Sequence, residues 1–211
     1  MKTLCIVILL GAISSNAFAQ KIIEKHINFA NKESVNLDIQ ITDSIHIQTW
    51  NKNEVFARAS VSINEDKDND IYLTTFEDSG NDVAVSAKIK SDYYEDSDNH
   101  VESNIYWEIY IPEKVDFKVK TINGDLTIAG VTSEIDASTI SGFIDITVSS
   151  GKNADLSMET VTGTIYSNQE FDTTEHEHSH ASAISSKMNG GSIPVKLKTV
   201  SGDIYFRVNK N

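Results

Sequence analysis

Three histidines in one short segment have the residue type and spacing to bind a transition metal. The segment Glu175–His180 reads EHEHSH and places His176, His178 and His180 at alternate positions. Imidazole is a common ligand of zinc, copper and nickel. In an extended strand alternate residues lie about 6.6 Å apart, so the three rings converge on one ion only if the segment curls. The competing interpretation is a polar, exposed loop.

An acidic segment has the spacing of a calcium-binding loop. Asp66, Asp68, Asp70 and Glu77 match the first, third, fifth and twelfth positions of the EF-hand loop. Ile71 stands where that loop requires glycine, and the flanking residues have the pattern of strands rather than helices. The alternatives are therefore an acidic turn between strands, or a looser calcium site of the kind found in extracellular modules.

Three aspartates near repeated glycines are candidates for general acid and base chemistry. Glycoside hydrolysis needs two carboxyl groups held about 5–9.5 Å apart. Asp125 and Asp203 come from distant parts of the chain, and Phe143 and Thr164 occupy the equivalent places between them. We therefore expect Asp125, Asp145 and Asp203 to be outward polar residues of a sheet. No hydrolase Gly-x-Ser-x-Gly, phosphate-binding loop or dinucleotide fingerprint occurs in the chain.

Exposed aromatic residues are the remaining candidates for contact with a ligand. Trp50, Tyr93, Tyr94 and Tyr106 could form a surface that binds a carbohydrate or a protein. Trp107 has the buried parity of its strand and is predicted to lie in the core.

Alternating apolar and polar residues predict that β-strands position these candidates. Period-two alternation is typical of strands with one buried face, and no helical period follows the first twenty residues. Polar stretches at 64–70 and 91–100 predict loops, and 169–191 predicts a long insertion loop. The alternating segments are 35–41, 45–47, 55–63, 83–89 and 105–111.

One phrase, Thr-(Ile/Val)-x-Gly, occurs four times and predicts a repeated structure. Its glycines are separated by 18, 21 and 39 residues, and the last interval contains the predicted insertion. The phrases are Thr121–Gly124, Thr139–Gly142, Thr160–Gly163 and Thr199–Gly202.

Two all-β architectures fit this repeat. In an antiparallel sandwich or meander, Asn123 and Gly124 form a two-residue hairpin turn. In a parallel β-solenoid with coils of about 20 residues, each phrase is a corner between strands of successive sheets. The residue before each x-Gly pair favours the solenoid, because it is apolar where a hairpin would expose it and an inward corner would bury it. The predicted corners are Ile122 with Gly124, Ile140 with Gly142, Val161 with Gly163, and Val200 with Gly202.

These repeated segments resemble a family of exported bacterial β-domains known as "putative adhesins". The resemblance covers residues 35–208 and is clearest over 105–168 and 191–208. It implies a right-handed parallel β-coil outside the inner membrane, and it supplies no catalytic residues. Residues 17–20, AFAQ, are similar to the ends of secretory signal peptides from Bacteroidetes-type bacteria. The segments that carry the resemblance are WEIYIP, KVKTINGDLTI, STISGFIDI, ETVTGTIYS and KTVSGDIYFRV.

The first nineteen residues predict a secretory signal peptide. Lys2 precedes an apolar stretch, Leu4–Ile13, and Ala17-Phe18-Ala19 is a cleavage site before Gln20. The apolar stretch is shorter than the roughly 20 residues of a transmembrane helix. The only cysteine, Cys5, lies in this peptide, so the mature chain has neither a disulfide nor a thiol nucleophile. Residues 20–211 are predicted to form a single β-domain.

The charge of the chain limits its partners. A net charge of −13 argues against nucleic acid and anionic membrane surfaces. No later segment has the apolar length to insert into a membrane. A protein or glycan partner at the cell envelope is therefore expected, and no cofactor is, apart from the zinc or calcium that the two clusters could bind.

The sequence favours a non-enzymatic role at the cell envelope. The first prediction is an exported protein of the periplasm or cell surface that acts in adhesion or assembly. The alternatives are a periplasmic sensing module that binds another envelope protein, and a carbohydrate-active enzyme on a β-helix scaffold.

Overall fold

The structure is built from β-strands and contains no α-helix among its described residues. The computed structural model describes residues 20–94, 101–171, 174–175 and 182–209. Asn69–Ile71 and Ser91–Tyr94 form 3-10 turns, and no described helix is long and apolar enough to cross a membrane. The strands are β1 (Lys21–Asn28), β2 (Ser34–Ile39), β3 (Ile41–Trp50), β4 (Glu54–Ile63), β5 (Tyr72–Ser79), β6 (Asp82–Ile89), β7 (Ser103–Pro112), β8 (Asp116–Lys120), β9 (Asn123–Ala129), β10 (Ile135–Ser141), β11 (Ile144–Ser149), β12 (Ala154–Thr160), β13 (Ile165–Ser167), β14 (Thr174–Glu175), β15 (Ser182–Met188), β16 (Ile193–Ser201) and β17 (Ile204–Asn209).

The strands pair laterally in two series. The first series runs β5-β6-β2-β8-β10-β16-β12-β15-β14. The second series runs β1-β4-β7-β3-β9-β11-β17-β13. A pairing of Ser141 with Asn123 connects them, so that all the strands belong to one mixed sheet. Buried side chains of both series form a single hydrophobic core.

Six pairs of consecutive strands each contribute one strand to each series. We call these pairs units, and neighbouring units pair in parallel in both series. The order of stacking differs from the order along the chain. From one end, the units are β6/β7, β2/β3, β8/β9, β10/β11, β16/β17 and β12/β13.

The prediction of an all-β fold is confirmed, whereas the prediction of a parallel solenoid is not. The sheet is mixed: β1, β4, β5, β14 and β15 pair antiparallel with their neighbours. These strands fit the antiparallel alternative better. A two-residue connection returns β6 alongside β5 in the opposite direction, whereas β1–β4, β4–β7 and β12–β15 pair strands that are not consecutive along the chain.

Hydrophobic burial explains the predicted strands. In β4 the residues Val55, Ala57, Ala59, Val61 and Ile63 are fully buried, which confirms the alternation read over 55–63. Each fully buried valine or isoleucine contributes about 1.5–3 kcal/mol relative to an exposed one.

The largest core side chains also satisfy their polar atoms. Trp107 is buried, as predicted, and its Nε1 donates to the Tyr72 hydroxyl at 3.0 Å. The Tyr72 hydroxyl in turn donates to the Ile41 carbonyl at 3.1 Å. A buried polar atom without a partner would cost about 1–3 kcal/mol, so this chain stabilises the core.

The four β-branched residues predicted to fill the corners point outward instead. Ile122, Ile140 and Val200 are 38%, 48% and 39% exposed, and Val161 is partly exposed. The prediction that they are buried is therefore wrong. The alternation of inward and outward side chains continues from each strand into the phrase. The threonine that precedes each of these β-branched residues therefore points into the core. The buried threonines are Thr121, Thr139, Thr160 and Thr199.

Three of these threonines connect neighbouring units through a glycine carbonyl. Each hydroxyl is removed from water, and a partner is needed to offset the cost of its burial. The pairs are Thr139 Oγ1 to the Gly124 carbonyl (3.3 Å), Thr199 Oγ1 to the Gly142 carbonyl (3.1 Å) and Thr160 Oγ1 to the Gly202 carbonyl (2.8 Å).

The glycines of the phrases form a column in which successive backbones touch. A β-carbon on Gly142 would collide with the carbonyl of Gly124, and one on Gly202 would collide with that of Gly142. Their φ angles of +146° and +152° also disfavour any residue with a side chain. The phrase thus requires glycine for close approach between units.

The predicted insertion loop of residues 169–191 contains strands. Ser182–Met188 forms β15, which pairs antiparallel with β12, and Thr174–Glu175 forms β14. The segment SAISSKM has little apolar alternation because it lies at the margin of the core, where only Met188 is buried. The predicted signal peptide, residues 1–19, lies outside the described residues.

Candidate binding face

The outward side of the second series is a continuous face that is rich in polar and aromatic side chains. In β7, Ile105, Trp107 and Ile109 point into the core, so Tyr106 and Glu108 point outward. We call this side the binding face. Strand register aligns its outward residues in rows, because side chains of paired residues stand next to each other on a sheet.

A depression of about 520 Å³ lies on this face over strands β1, β4, β7 and β3. Ile22 and Tyr106 stand on either side of Ser60 in the same row, and they are 45% and 47% exposed. Large apolar side chains on the outward parity of a strand contribute nothing to the core, so they are available to a ligand. The other lining residues are Gln20, Ser44, His46, Gln48, Arg58, Trp107 and Glu108.

The next row of the depression carries alternating charges. Arg58 aligns with Glu24 on one side and Glu108 on the other, and Glu108 aligns with His46. The Arg58 Nε lies 3.2 Å from the Glu24 carboxylate. This row offers both hydrogen-bond donors and acceptors beside apolar surface, which is the composition of a binding site.

A first aromatic group borders the depression. Trp50 stacks on Tyr110 with ring centroids 5.2 Å apart, and Phe56 packs 6.1 Å from Tyr110 and 4.7 Å from His26. The Lys52 ammonium lies 4.2 Å from the Trp50 ring, close enough for a cation–π contact.

Hydrogen bonds orient the members of this group. The Trp50 Nε1 donates to the Glu54 carbonyl at 2.7 Å. The Tyr110 hydroxyl donates to Glu108 at 2.9 Å, and this bond raises the pKa of Tyr110. The rings are therefore fixed in place before any ligand arrives, which lowers the entropic cost of binding.

A second aromatic group lies at the far end of the same face. Tyr166 and Tyr205 stack with centroids 5.2 Å apart, and Phe143 meets Tyr205 edge-on at 6.0 Å. Arg207 lies over Tyr205 and binds both oxygens of Asp145, at 2.8 and 3.0 Å. Tyr166 is 49% exposed on the short edge strand β13.

Tyr110 of the first group and Tyr205 of the second are separated by four strand spacings, from β7 through β3, β9 and β11 to β17. At about 4.8 Å per strand they lie about 19 Å apart. The strands between them pair without a break, and their outward residues include His46 beside Thr127 and Gln48 beside Ala129.

The residues predicted to bind metals are not brought together in the described part of the chain. His176, His178 and His180 lie outside the described residues. Among those that are described, no group of three or more histidine, cysteine, aspartate or glutamate residues is placed to hold a metal ion.

The four carboxylates predicted to bind calcium do not converge. Asp68 accepts hydrogen bonds from Asn64 and Tyr93, which lower the pKa of its carboxyl group. Asp70 pairs with Lys21 at 3.1 Å, and Asp66 accepts from Asn69 at 3.3 Å. Glu77 lies on β5, outside this turn, because the segment after Ile71 extends as a strand rather than closing a loop. The calcium-loop prediction is not supported by this geometry.

The three candidate catalytic aspartates have structural partners. Asp125 accepts from the backbone N–H of Phe143 at 3.1 Å, and Asp203 accepts from that of Thr164 at 2.9 Å. Asp145 forms the ion pair with Arg207. These contacts connect one unit to the next, and they give each carboxylate a role in the fold.

The sequence did not reveal most of the binding face, nor did it reveal that Asp43, like Asp125 and Asp203, accepts a hydrogen bond from a backbone N–H group of the adjacent unit. Asp43 accepts from the backbone N–H of Ile105 at 2.6 Å, although no glycine phrase precedes it. Ile22 and Phe56 could have been recognised as apolar residues on the outward parity of their strands. Of the aromatic candidates named from the sequence, Trp50 and Tyr106 lie on this face, whereas Tyr93 bonds to Asp68 in the acidic turn.

Comparison with known proteins finds similarity in fold. No protein-family model matches the chain, and no curated protein does. A solved protein of Clostridium sporogenes, described as a "putative cell adhesion protein", is 13% identical, with a TM-score of 0.57 over 90% of this chain and 100% of its own. A "putative adhesin" of Bacteroides fragilis is 12% identical and covers 91% of this chain and 99% of its own, with a TM-score of 0.30. The chain is thus similar in fold to a solved protein described as acting in cell adhesion, at an identity that establishes the fold alone.

Proposed function

We propose that this protein is a non-enzymatic, exported component of the cell envelope that binds a protein or glycan in adhesion or assembly. The observation that carries the proposal is the binding face, where a depression and two partly exposed aromatic groups occupy one side of a continuous sheet. A sheet holds such side chains at fixed spacing, which suits the recognition of an extended partner.

The chemistry of the face supports a binding role. Aromatic rings and Ile22 provide apolar contact area, while His46, Arg58 and Glu108 provide directional hydrogen bonds. Aromatic residues and arginine carry much of the energy at binding interfaces. The net charge of −13 argues against polyanionic partners.

Similarity in fold to the Clostridium sporogenes protein, which is described as a "putative cell adhesion protein", points in the same direction. Fold similarity at this identity does not transfer a function by itself. It agrees with the predicted signal peptide, which directs the chain to the envelope or the cell surface.

We also propose that the six parallel units are coils of an irregular solenoid whose ends carry antiparallel strands. The glycine column and the threonine hydrogen bonds support this interpretation, because both recur from unit to unit. Antiparallel strands at the ends satisfy backbone groups that an open coil would leave exposed.

The experiment that tests the proposed function measures binding of the purified protein to panels of envelope proteins and glycans. We expect saturable binding that weakens at least tenfold in Ile22→Ser and Tyr106→Ala, because each removes exposed apolar area from the depression. Leu73→Ala is the matched control, since Leu73 is 39% exposed on β5 in the other series. Equal weakening by all three substitutions, or the same affinity in all of them, would contradict the role of the face.

A second measurement tests localisation. Protease added to intact cells should cleave the protein if it acts at the surface, whereas a periplasmic protein is protected until the outer barrier is opened. Recovery of the protein from the cytoplasm with residues 1–19 still attached would overturn the proposed export.

A further inference from the structure

Lys152 is a buried lysine that follows β11, at the end of this strand away from Gly142. The residue is 7% exposed and lies in the loop between β11 and β12. Its Nζ donates to the backbone carbonyls of Ser133 at 2.8 Å and Val131 at 3.3 Å. Both acceptors are neutral, so they orient the ammonium without neutralising its charge.

Among the residues that the structure describes, none places a counter-charge beside Lys152. Burial alone lowers the pKa of Lys152 to about 8, and no nearby carboxylate raises it. An ammonium placed away from water without an opposite charge is costly, and charged groups in protein interiors are normally paired. An ammonium has three N–H donors, and the two carbonyls occupy only two of them.

Lys152 lines a cavity of about 450 Å³. This volume lies within the range of sites that bind small molecules. The cavity is bounded by the β9–β10 and β11–β12 loops and by the ends of β16 and β17. Within the described part of the lining, Lys152 is the only titratable residue, and the polar residues around it include Thr147, Asn153 and Asn209.

We propose that this cavity binds a small molecule bearing a carboxylate, and that the Lys152 ammonium donates its third N–H to that group. A carboxylate supplies the single negative charge that the lining lacks, and a charge-assisted hydrogen bond at this position is stronger than a neutral one. Thr147, Asn153 and Asn209 provide further polar groups for the remainder of the ligand. A chain with a net charge of −13 disfavours more highly charged anions such as phosphates.

A purely structural role for Lys152 is the competing explanation. The two hydrogen bonds do connect the loop after β11 to the loop after β9. A neutral donor such as asparagine could make such bonds without placing a charge in a buried site, so the charge itself requires an explanation. The proposal is independent of the binding face.

The test uses galacturonate, acetate and neutral galactose as probes of the purified protein. Calorimetry measures binding, and ¹³C NMR of lysine ε-carbons follows the titration of the Lys152 amine. We expect galacturonate to bind saturably and to move this titration at least one pH unit upward, whereas galactose should have no effect. Saturation by acetate as well would assign the site to simple carboxylates, and saturation by galacturonate alone would assign it to an acidic sugar.

Variants separate the proposed site from general charge effects. Lys152→Met should lose carboxylate binding at least tenfold, while Lys196→Met, which removes an exposed lysine, should bind as the wild type does. If Lys152→Met fails to fold, the wild-type titration still decides the question. An unchanged Lys152 titration at saturating galacturonate and acetate, with no binding heat, would overturn the proposal and leave Lys152 as a connection between loops.

Discussion

At the scale of single residues, the charge of Lys152 opposes folding in the absence of a ligand. Burial lowers its pKa to about 8 in the folded protein, against an ordinary value of 10.5 in the unfolded chain. Between these values the unfolded chain binds more protons, so this contribution to stability rises with pH and is least favourable below about pH 8. Relative to Lys152→Met, the wild type should gain about 2 kcal/mol of unfolding free energy between about pH 7.5 and about pH 9.5.

Urea unfolding of both proteins at the two pH values measures this gain. The comparison removes the contributions of other groups, because they titrate alike in both proteins. Parallel pH profiles would show that Lys152 is solvated and would remove the basis for an unpaired buried charge.

Gly142 shows how closely the units approach each other. A β-carbon there would collide with the Gly124 carbonyl, and its φ angle of +146° is unfavourable for alanine. We expect Gly142→Ala to lower the unfolding free energy by about 3 kcal/mol or more, because a backbone shift is needed to relieve the collision. Gly151→Ala is the control, since its nearest neighbour atom lies 3.9 Å away, and it should change stability by less than about 1 kcal/mol.

At the scale of elements, three aspartates cap backbone groups of the adjacent unit. These hydrogen bonds differ in burial: the bonds of Asp43 and Asp125 are partly buried, whereas the bond of Asp203 is exposed. Water can replace a lost partner at an exposed group but not at a buried one.

The loss of unfolding free energy in the three alanine variants should therefore follow the burial of the hydrogen bond that each variant removes. We expect Asp43→Ala and Asp125→Ala each to cost about 1–2 kcal/mol and Asp203→Ala less than about 1 kcal/mol. Asp38→Ala, on an exposed position of β2, is the control. Thermal and urea unfolding measure the order, and equal costs at all three positions would contradict the capping role.

Local pattern predicted the strands well, because alternation depends only on which face of a strand is buried. The stretches of β4, β6 and β7 were identifiable from their valine, isoleucine and alanine residues. The outward orientation of Ile122 and Val200 was not identifiable from the sequence. Threonine and isoleucine can both occupy an inward position on a strand, and hydrophobicity alone favours the burial of isoleucine. In three of the four phrases the threonine hydroxyl reaches a glycine carbonyl of the neighbouring unit, and in the first phrase it reaches the Asn123 carbonyl. Only the folded structure reveals these contacts.

Local sequence pattern predicts neither the stacking order of the units nor the candidate sites. The unit β16/β17 lies between β10/β11 and β12/β13, although it follows both along the chain. No spacing in the sequence encodes this order, because it depends on long-range pairing. The binding face needs the same register: Ile22 and Tyr106 come together only because β4 lies between β1 and β7. Similarly, the burial of Lys152 depends on contact between the β9–β10 and β11–β12 loops, which are brought together only in the folded chain.

At the scale of the whole molecule, the binding face carries exposed tyrosines near its two ends: Tyr106 on β7 and Tyr166 on β13 lie five strand spacings, about 24 Å, apart. A ligand that contacts both should bind more tightly than the sum of its separate contacts would suggest, because the second contact is intramolecular. A fragment too short to span the distance should use only the depression beside Tyr106. The length of the ligand therefore decides which residues matter.

This argument predicts a dependence on ligand length for the partner identified by the binding panels. Tyr106→Ala should weaken both long and short fragments of that partner, whereas Tyr166→Ala should weaken only the long ones, by tenfold or more. Calorimetry with a series of fragment lengths measures both effects, and the gain in affinity should appear once a fragment reaches about 24 Å. If Tyr166→Ala weakens the shortest fragment as much as the longest, the two aromatic groups do not share one extended ligand.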